Sequence, residues 1–168
     1  MNNFTPVSDA TEALRSSFRL HASGVSVITL VTQDGKPAGF TATSMTSLGA
    51  TPPLASFNVA SGSSTWPVLQ ASKYAAIHTL GDRNLALAQK MAADHTLRFA
   101  DNDWEFGPKG LPVFNDATSV LIVEIREIHE VENNAVVIVN VIEGLLGEPA
   151  PALLYYQRHY LTPGNTLN

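Results

Sequence analysis

The chain has 168 residues, of which 45% are hydrophobic and only 15% charged, and its net charge is −5. This length favours one domain, taken here as residues 1–168, with a sizeable core. The acidic balance and the lack of a Lys/Arg cluster argue against nucleic acid as a partner, and the absence of cysteine excludes disulfides and thiolate chemistry. The low charge content indicates a second buried surface, which predicts a homo-oligomer.

The N-terminal residues lack the basic start and apolar run of a signal peptide. No apolar run approaches the roughly 18 residues of a membrane span. We therefore expect a soluble, cytoplasmic protein without a membrane partner.

The first predicted element is a helix. Ser8 or Asp9 can cap it, and Glu12 stands three residues after Asp9, as in a capping box. Gly24 ends it. One face of this helix carries Leu14, Phe18 and His21.

A hairpin and a third strand follow. Val25–Thr32 is a nearly continuous apolar strand, Asp34-Gly35 is a hairpin turn signal, and the chain returns through Ala38–Ser47. Pro52-Pro53 breaks the pattern, and Leu54–Val59 is predicted as the next strand.

The stretch Gly39–Pro53 is unusual because it is rich in hydroxyl groups and carries no charge. It has two readings: an edge strand of good strand formers, or the polar edge of a site for a flat, neutral, heteroatom-rich ligand. The residues alone favour neither reading over the other. The hydroxyl residues are Thr41, Thr43, Ser44, Thr46 and Ser47.

A Gly- and Ser-rich loop, Ala60–Pro67, precedes a short helix. Pro67 suits the first turn of that helix, with Thr65 or Trp66 near its cap. Such a loop presents free N–H groups and hydroxyls that can bind phosphate, although many loops of this composition are simple linkers.

The second half of the chain is mainly β. Tyr74–Leu80 is predicted as a strand, and Asp82 as the cap of a helix over Arg83–Ala93. Asp94–Pro112 is irregular, and so long a connection favours a functional loop or a subunit contact.

The last elements are strands. They are Thr118–Glu130, a turn at Asn133-Asn134, Ala135–Glu143 and the segment Leu153–Tyr160. About six strands with few short helices favour an antiparallel barrel over a parallel α/β sheet.

The reactive side chains form no recognisable catalytic set. The five histidines are scattered without the spacing of a metal site, and no nucleophile elbow, Walker loop or dinucleotide fingerprint is present. If the protein is an enzyme, a bound cofactor is expected to carry the difficult step.

An ordered series of short motifs resembles the flavin reductase-like family, the FMN-binding split barrels. The resemblance covers roughly residues 14–161. Its motifs are Phe18-Arg19, Gly24–Thr29, Asp34-Gly35, Gly39–Ser44, Pro52–Leu54, Ser61–Thr65, Trp104, Gly110–Pro112, the strand from Ala117, and Leu153–Tyr156 with Arg158 and Tyr160.

The resemblance implies a mainly β, split antiparallel barrel with a few short flanking helices. It also implies a homodimer that binds FMN, or FAD through its FMN half, near the dimer interface. The residues implied at the ring are Thr41, Ala42, Thr43 and Ser44, with Ser47 near the ribityl chain and Asn58 beside the ribityl chain or the phosphate. Those implied at the phosphate are Ser61, Ser63, Ser64 and Thr65. The pattern ends with Arg158 and Tyr160, and Arg158 has two readings: a contact to a dinucleotide phosphate or a surface ion pair.

The implied activity is NAD(P)H:flavin oxidoreduction, with reduced flavin supplied to a monooxygenase partner. The chain departs from the family pattern after the long strand: Asn134 stands where family reductases usually carry a histidine linked to nicotinamide binding, and Asn140 stands where a glycine is expected. Asparagine can still hydrogen-bond but cannot titrate near neutrality. The alternative is therefore a flavin-binding carrier, sensor or partner subunit without efficient NAD(P)H use.

Overall fold

The computed structural model describes residues 3–164. Within them lie three α-helices, two 3-10 turns (Asp82–Asn84 and Pro108–Gly110) and twelve strands. The helices are α1 (Ala10–Arg19), α2 (Trp66–Ala71) and α3 (Leu85–Ala92). The strands are β1 (Ser23–Gly24), β2 (Ser26–Val31), β3 (Pro37–Ala42), β4 (Thr46–Ala50), β5 (Pro53–Ala60), β6 (Tyr74–Thr79), β7 (Trp104–Phe106), β8 (Pro112–Phe114), β9 (Ser119–Val131), β10 (Asn134–Leu146), β11 (Leu154–Tyr156) and β12 (His159–Leu161).

The main sheet has seven antiparallel strands in the order β3-β2-β6-β9-β10-β5-β4. Its two edges, β3 and β4, are not paired with each other, so the sheet is open. The predicted mainly β, antiparallel architecture is confirmed. Two small sheets, β1-β11-β12 and β7-β8, flank it.

The central strands are buried on both faces. Successive residues such as Val27 and Ile28 on β2, or Ile122 and Val123 on β9, enter two different core clusters on opposite sides of the sheet. This two-sided burial follows from the alternation of side chains along a strand. It explains why β2 reads as a nearly continuous apolar run.

The predicted strand Ala38–Ser47 is wrong as one element. β3 ends at Ala42, pairing with β2, and β4 starts at Thr46, pairing with β5, so the chain crosses from one edge of the sheet to the other between them. Ser44 holds this crossing, because its Oγ accepts a 2.9 Å hydrogen bond from the Asn58 backbone N–H. We call Thr43–Met45 the bend.

The cap of the first helix is confirmed, and the cap of the third is wrong. Asp9 accepts a 2.7 Å bond from the N–H of Glu12. The Asp82 side chain, in contrast, accepts from the adjacent Arg83 N–H, while the Asn84 side chain accepts from Gly81 N–H. A 3-10 turn therefore precedes α3.

The segment Asp94–Pro112 contains more order than predicted, since β7 lies within it and pairs with β8. Lys90 on α3 fastens it: its Nζ lies 2.9 Å from an Asp101 carboxylate oxygen and 2.7 Å from one of Asp103. Phe99 packs edge-on against Trp104, with ring centroids 5.4 Å apart. The long connection is thus anchored at the surface beside α3.

The apolar face of α1 is left uncovered by the other residues of the range 3–164. No residue of α1 is buried, and Leu14 and Phe18 are exposed. None of the helices in residues 3–164 has the length and apolar character needed to cross a membrane.

Candidate functional site

Three adjoining clefts lie beside the bend. The central cleft, about 380 Å³, is lined by β3, the bend, Asn58 and Arg98. The outer cleft, about 570 Å³, shares Thr43, Ser44 and Asn58 with it. The serine cleft, about 210 Å³, shares Arg98. These shared walls make one groove, and no Asp or Glu of the described residues lines any of the three clefts.

At the bend, most hydroxyl groups are already bonded within the protein. Thr41 Oγ1 donates to the Ala88 carbonyl on α3 at 2.7 Å, and Ser44 Oγ is held by the Asn58 backbone. The Ala42 side chain is buried in the core, so it offers only its backbone. Thr43 is exposed and lines both the central and outer clefts.

The serine-rich loop before α2 is different, because part of its polar surface has no partner. Ser61 N–H bonds the Asn133 carbonyl, Ser63 N–H the Ala60 carbonyl, and Thr65 N–H the Ser63 side chain. Within residues 3–164, the Gly62 and Ser64 N–H groups and the Ser61 and Ser64 hydroxyls make no hydrogen bond. These free donors come from the loop itself; the first N–H of α2, that of Trp66, is bonded to Ser63.

Thr65 and Arg98 tie this loop to β3 through one carbonyl. Thr65 is buried, and its Oγ1 donates to the Gly39 oxygen at 3.3 Å. Arg98 Nη1 donates to the same oxygen at 2.6 Å, while its Nε and Nη2 donate to the Ala93 carbonyl. Three of the five guanidinium N–H groups are thereby used, which leaves two for a ligand.

Lys36 also lines the serine cleft, but it is paired with Asp34 at 2.7 Å. Arg98 is the cation that the central and serine clefts share. It is half-buried and lines both the central and the serine clefts. Burial lowers the pKa of its guanidinium, and the nearby Asp94 opposes that shift; an arginine nevertheless stays protonated in proteins. A fixed positive charge beside free N–H groups and hydroxyls is the chemistry of a phosphate site.

The remaining residues singled out from the sequence fall in other places. Ser47 lies on β4, where it pairs with Ala55 of β5, and it does not line the groove. Asn134 is exposed at the start of β10, where it pairs with Ala60 and so lies beside the serine-rich loop rather than the bend. Arg158 is in the β11–β12 turn with φ +67°. Tyr160 packs on Tyr155, and burial raises its pKa.

Some groove residues were missed by sequence reasoning. The outer cleft also contains Phe18, His21, Met45 and Tyr155, and the central cleft contains Met91 and Arg98. Only Tyr155, within the Leu-Tyr-Tyr motif, and Phe18 carried a signal. Arg98 carried none, because it is an isolated charge in an irregular segment.

Comparison with known proteins places the chain among flavin reductases. Residues 18–164 match the family model of the flavin reductase like domain. The chain is 37% identical over 155 residues to an NADH:FMN oxidoreductase of Rhodococcus qingshengii, covering 89% of this chain and 80% of that protein. It is 28% identical over 143 residues to the 4-hydroxyphenylacetate 3-monooxygenase reductase component of Salmonella typhimurium, covering 83% and 84%.

A solved structure gives the same result. The crystal structure of a flavin reductase domain protein from Arthrobacter sp. FB24 superimposes with a TM-score of 0.89 at 41% identity, covering 93% of this chain and 97% of that one.

Proposed function

The chain belongs to the flavin reductase-like family, and on that premise we propose that it transfers a hydride from NADH or NADPH to FMN or FAD. The observation that carries this function is the joined groove: a neutral part at the bend leads to free hydrogen-bond donors and to the guanidinium of Arg98. Those are the two environments that a flavin mononucleotide needs.

The groove suits the ligand part by part. Thr43, Asn58 and the backbone of the bend would hold the polar edge of the ring. Gly62, Ser64 and Arg98 would hold the phosphate, with their free N–H groups and hydroxyls. Ser61 and Ser63 complete this part of the loop, and Thr65 supports it through its bond to Gly39.

The side chains contribute binding and orientation. A bound flavin supplies the redox chemistry, by accepting a hydride at N5. Thr41 fixes β3 to α3, and Ser44 fixes the bend to β5, so the wall of the ring site is rigid. Because no carboxylate of the described residues lines the groove, an anionic reduced product is not repelled there.

A homodimer and a monooxygenase partner are part of the proposal. The Salmonella relative is named as a reductase component of a monooxygenase, which supports a role in supplying reduced flavin. Exposed apolar side chains support a second copy as the cover of α1 and the β9–β10 hairpin; they include Leu14, Phe18, Val131, Val136 and Ile142. A cytoplasmic location fits a chain without cysteine.

The alternative function is flavin binding without efficient nicotinamide use. It rests on Asn134, which replaces the histidine of the family pattern and lies outside the groove of a single chain.

The test compares FMN with riboflavin, which lacks the phosphate. Arg98→Met is expected to weaken FMN binding about 30-fold, because it removes a charge-assisted contact, and to leave riboflavin binding within twofold of wild type. Fluorescence titration measures both affinities. Arg126→Met removes an exposed arginine paired with Glu127 and is the matched control.

Turnover is measured on the same preparations as NADH and NADPH oxidation with added FMN or FAD. Oxidation well above the free-flavin background is expected. Equal loss of FMN and riboflavin affinity in Arg98→Met would contradict the phosphate assignment. Tight flavin binding with no turnover would contradict the reductase activity and support the alternative function, flavin binding without nicotinamide use.

A further inference from the structure

A fourth cleft lies on the side of α2 away from the bend. Its volume is about 450 Å³, and its walls come from the end of β2, α2, the start of β6 and the 3-10 turn Pro108–Gly110. It touches the serine cleft only through Thr32 and Val68, and it shares no residue with the central or outer clefts. Nothing in the proposed flavin site uses it.

Two lysines of this cleft approach the ring of one tyrosine. Lys73 Nζ lies 5.2 Å from the centroid of the Tyr74 ring, and Lys109 Nζ lies 5.3 Å from the same centroid. The aromatic ring attracts each ammonium group, so both positive charges are held at the same cleft. They are separated by 36 residues of sequence, so the fold and not local spacing brings them together.

Positive charge exceeds negative charge around the two lysines. No acidic side chain of the described residues lines the cleft. Glu124, on the neighbouring strand, reaches only Lys73, at 3.4 Å; the Tyr74 hydroxyl and Glu124 together raise the pKa of Lys73. Lys109 has no carboxylate within ion-pair distance among residues 3–164. A cationic cleft on a chain of net charge −5 is a local exception.

The backbone at Lys109 is also unusual. Its φ is +59°, in the left-handed region that side-chain-bearing residues rarely adopt. The rest of the cleft is largely apolar, with Val31, Val68 and Leu111 on its walls.

We propose that this cleft binds an organic phosphate monoester with an apolar body, such as a nucleoside monophosphate, at a site separate from the flavin groove. A phosphate monoester carries close to two negative charges at pH 7, which match the two ammonium groups. Lysine binds phosphate as a point charge. The apolar walls receive the body of the ligand, and the volume lies within the range of small-molecule pockets.

The experiment uses AMP as the probe, with calorimetry at low salt on the full chain. Wild-type protein is expected to bind one AMP, both alone and with saturating FMN. The double variant Lys73→Met, Lys109→Met keeps the apolar stems and is expected to weaken AMP binding at least about tenfold, with FMN affinity unchanged. Arg126→Met is the matched control and is expected to change neither affinity.

A second variant gives a change in the opposite direction. Glu124→Gln removes the carboxylate that competes for Lys73, so AMP affinity is expected to rise about threefold. Adenosine and inorganic phosphate, tested separately, are expected to bind more weakly than AMP.

Four outcomes would overturn the proposal: no AMP binding by the wild-type chain, loss of AMP binding when FMN is added, unchanged affinity in the double lysine variant, or binding of adenosine or inorganic phosphate as tight as that of AMP. The FMN titrations are independent of all four, so failure here leaves the flavin site untouched.

Discussion

The bend and the serine-rich loop are both rich in hydroxyl groups, yet they differ in what those groups are bonded to. At the bend, Thr41 and Ser44 are already tied to α3 and β5. In the loop, the Gly62 and Ser64 N–H groups have no partner within residues 3–164. Similar composition therefore serves two purposes: bonded groups hold the shape of the groove, and free groups are available to a ligand. Changes at bonded groups should alter stability, and changes at free groups should alter affinity.

The largest effect is expected at Gly39, where the two regions meet. A Cβ there would lie 2.5 Å from the Ile28 carbonyl oxygen and 2.9 Å from Met91 Cε. Gly39→Ala should lower the free energy of unfolding by about 3 kcal/mol and weaken FMN binding, because the Gly39 carbonyl holds both Thr65 and Arg98. Chemical denaturation measures the first effect.

The control for Gly39 is Gly144→Ala, whose Cβ would make only an ordinary 3.8 Å contact with Leu121. Both variants showing the same stability would contradict the close packing of β3 against α3.

Acid should destabilise the protein through His78, a fully bonded polar group in the core. Its Nε2 accepts from Phe114 N–H, so Nδ1 carries the proton and donates to the Val27 carbonyl. Burial lowers its pKa to about 4, whereas in the unfolded chain it is about 6.5. Between these values the unfolded state binds more protons. The contribution of His78 to the free energy of unfolding is therefore fully present above about pH 6.5, and up to about 3 kcal/mol of it is lost as the pH falls towards 4.

Denaturation curves at pH 7 and pH 5 test this expectation. His78→Asn should be less stable at pH 7 but show a flatter dependence on pH. His129→Gln, at an exposed histidine, should keep the wild-type slope. A wild-type slope in His78→Asn would assign the acid sensitivity to other groups.

Thr41→Val tests a bonded hydroxyl. The change keeps the shape of the side chain and removes the bond to the Ala88 carbonyl. The free energy of unfolding should fall by about 1 kcal/mol, while FMN affinity should change less than twofold in a fluorescence titration. A large loss of affinity with unchanged stability would mean that this hydroxyl serves the ligand.

Ser64→Ala tests a free hydroxyl and should give the reverse result. Its side chain is exposed and unbonded within the described residues, so the melting temperature should not move. FMN affinity should fall about fivefold, from the loss of one hydrogen bond to phosphate. Riboflavin affinity serves as the internal control, and an equal loss for riboflavin would remove Ser64 from the phosphate site.

The smallest effect is expected at Asn134, which belongs to neither region. Asn134→His restores the side chain of the family pattern, and it should raise the rate of NADH oxidation about two- to threefold with unchanged FMN affinity. The substitution Asn133→His, at the neighbouring position, is the control. No gain in rate would show that nicotinamide use does not depend on this position.

The central strands could be predicted from the sequence because the pattern of neighbouring apolar residues in each strand indicates its burial. β2, β6 and β9 combine apolar runs with period-two alternation, and the structure places them within a few residues of the predicted bounds. The break between β3 and β4 could not be predicted. Thr and Ser are acceptable in strands, and the bond that sets the break joins Ser44 to Asn58, 14 residues away.

The candidate site was predictable in its neutral parts and not in its charged part. Hydroxyl composition indicated the bend and the loop, but not which hydroxyls are bonded, since Thr41 meets Ala88 across 47 residues. Arg98 was missed because its importance depends on the Gly39 carbonyl, 59 residues away. Likewise, Lys73 and Lys109 become a pair only when the 3-10 turn folds back over β6.

The two tryptophans of the chain both stand on elements that hold the groove. Trp66 is buried directly after Thr65, and Trp104 packs edge-on against Phe99, which follows Arg98. An isoalloxazine ring absorbs light where indole emits it, so a ligand in the groove would accept excitation energy from both side chains. Trp66→Phe and Trp104→Phe would separate the two optical signals, one for the serine-rich loop and one for the segment carrying Arg98. The protein thus contains its own pair of optical reporters for a ligand at either side of the groove.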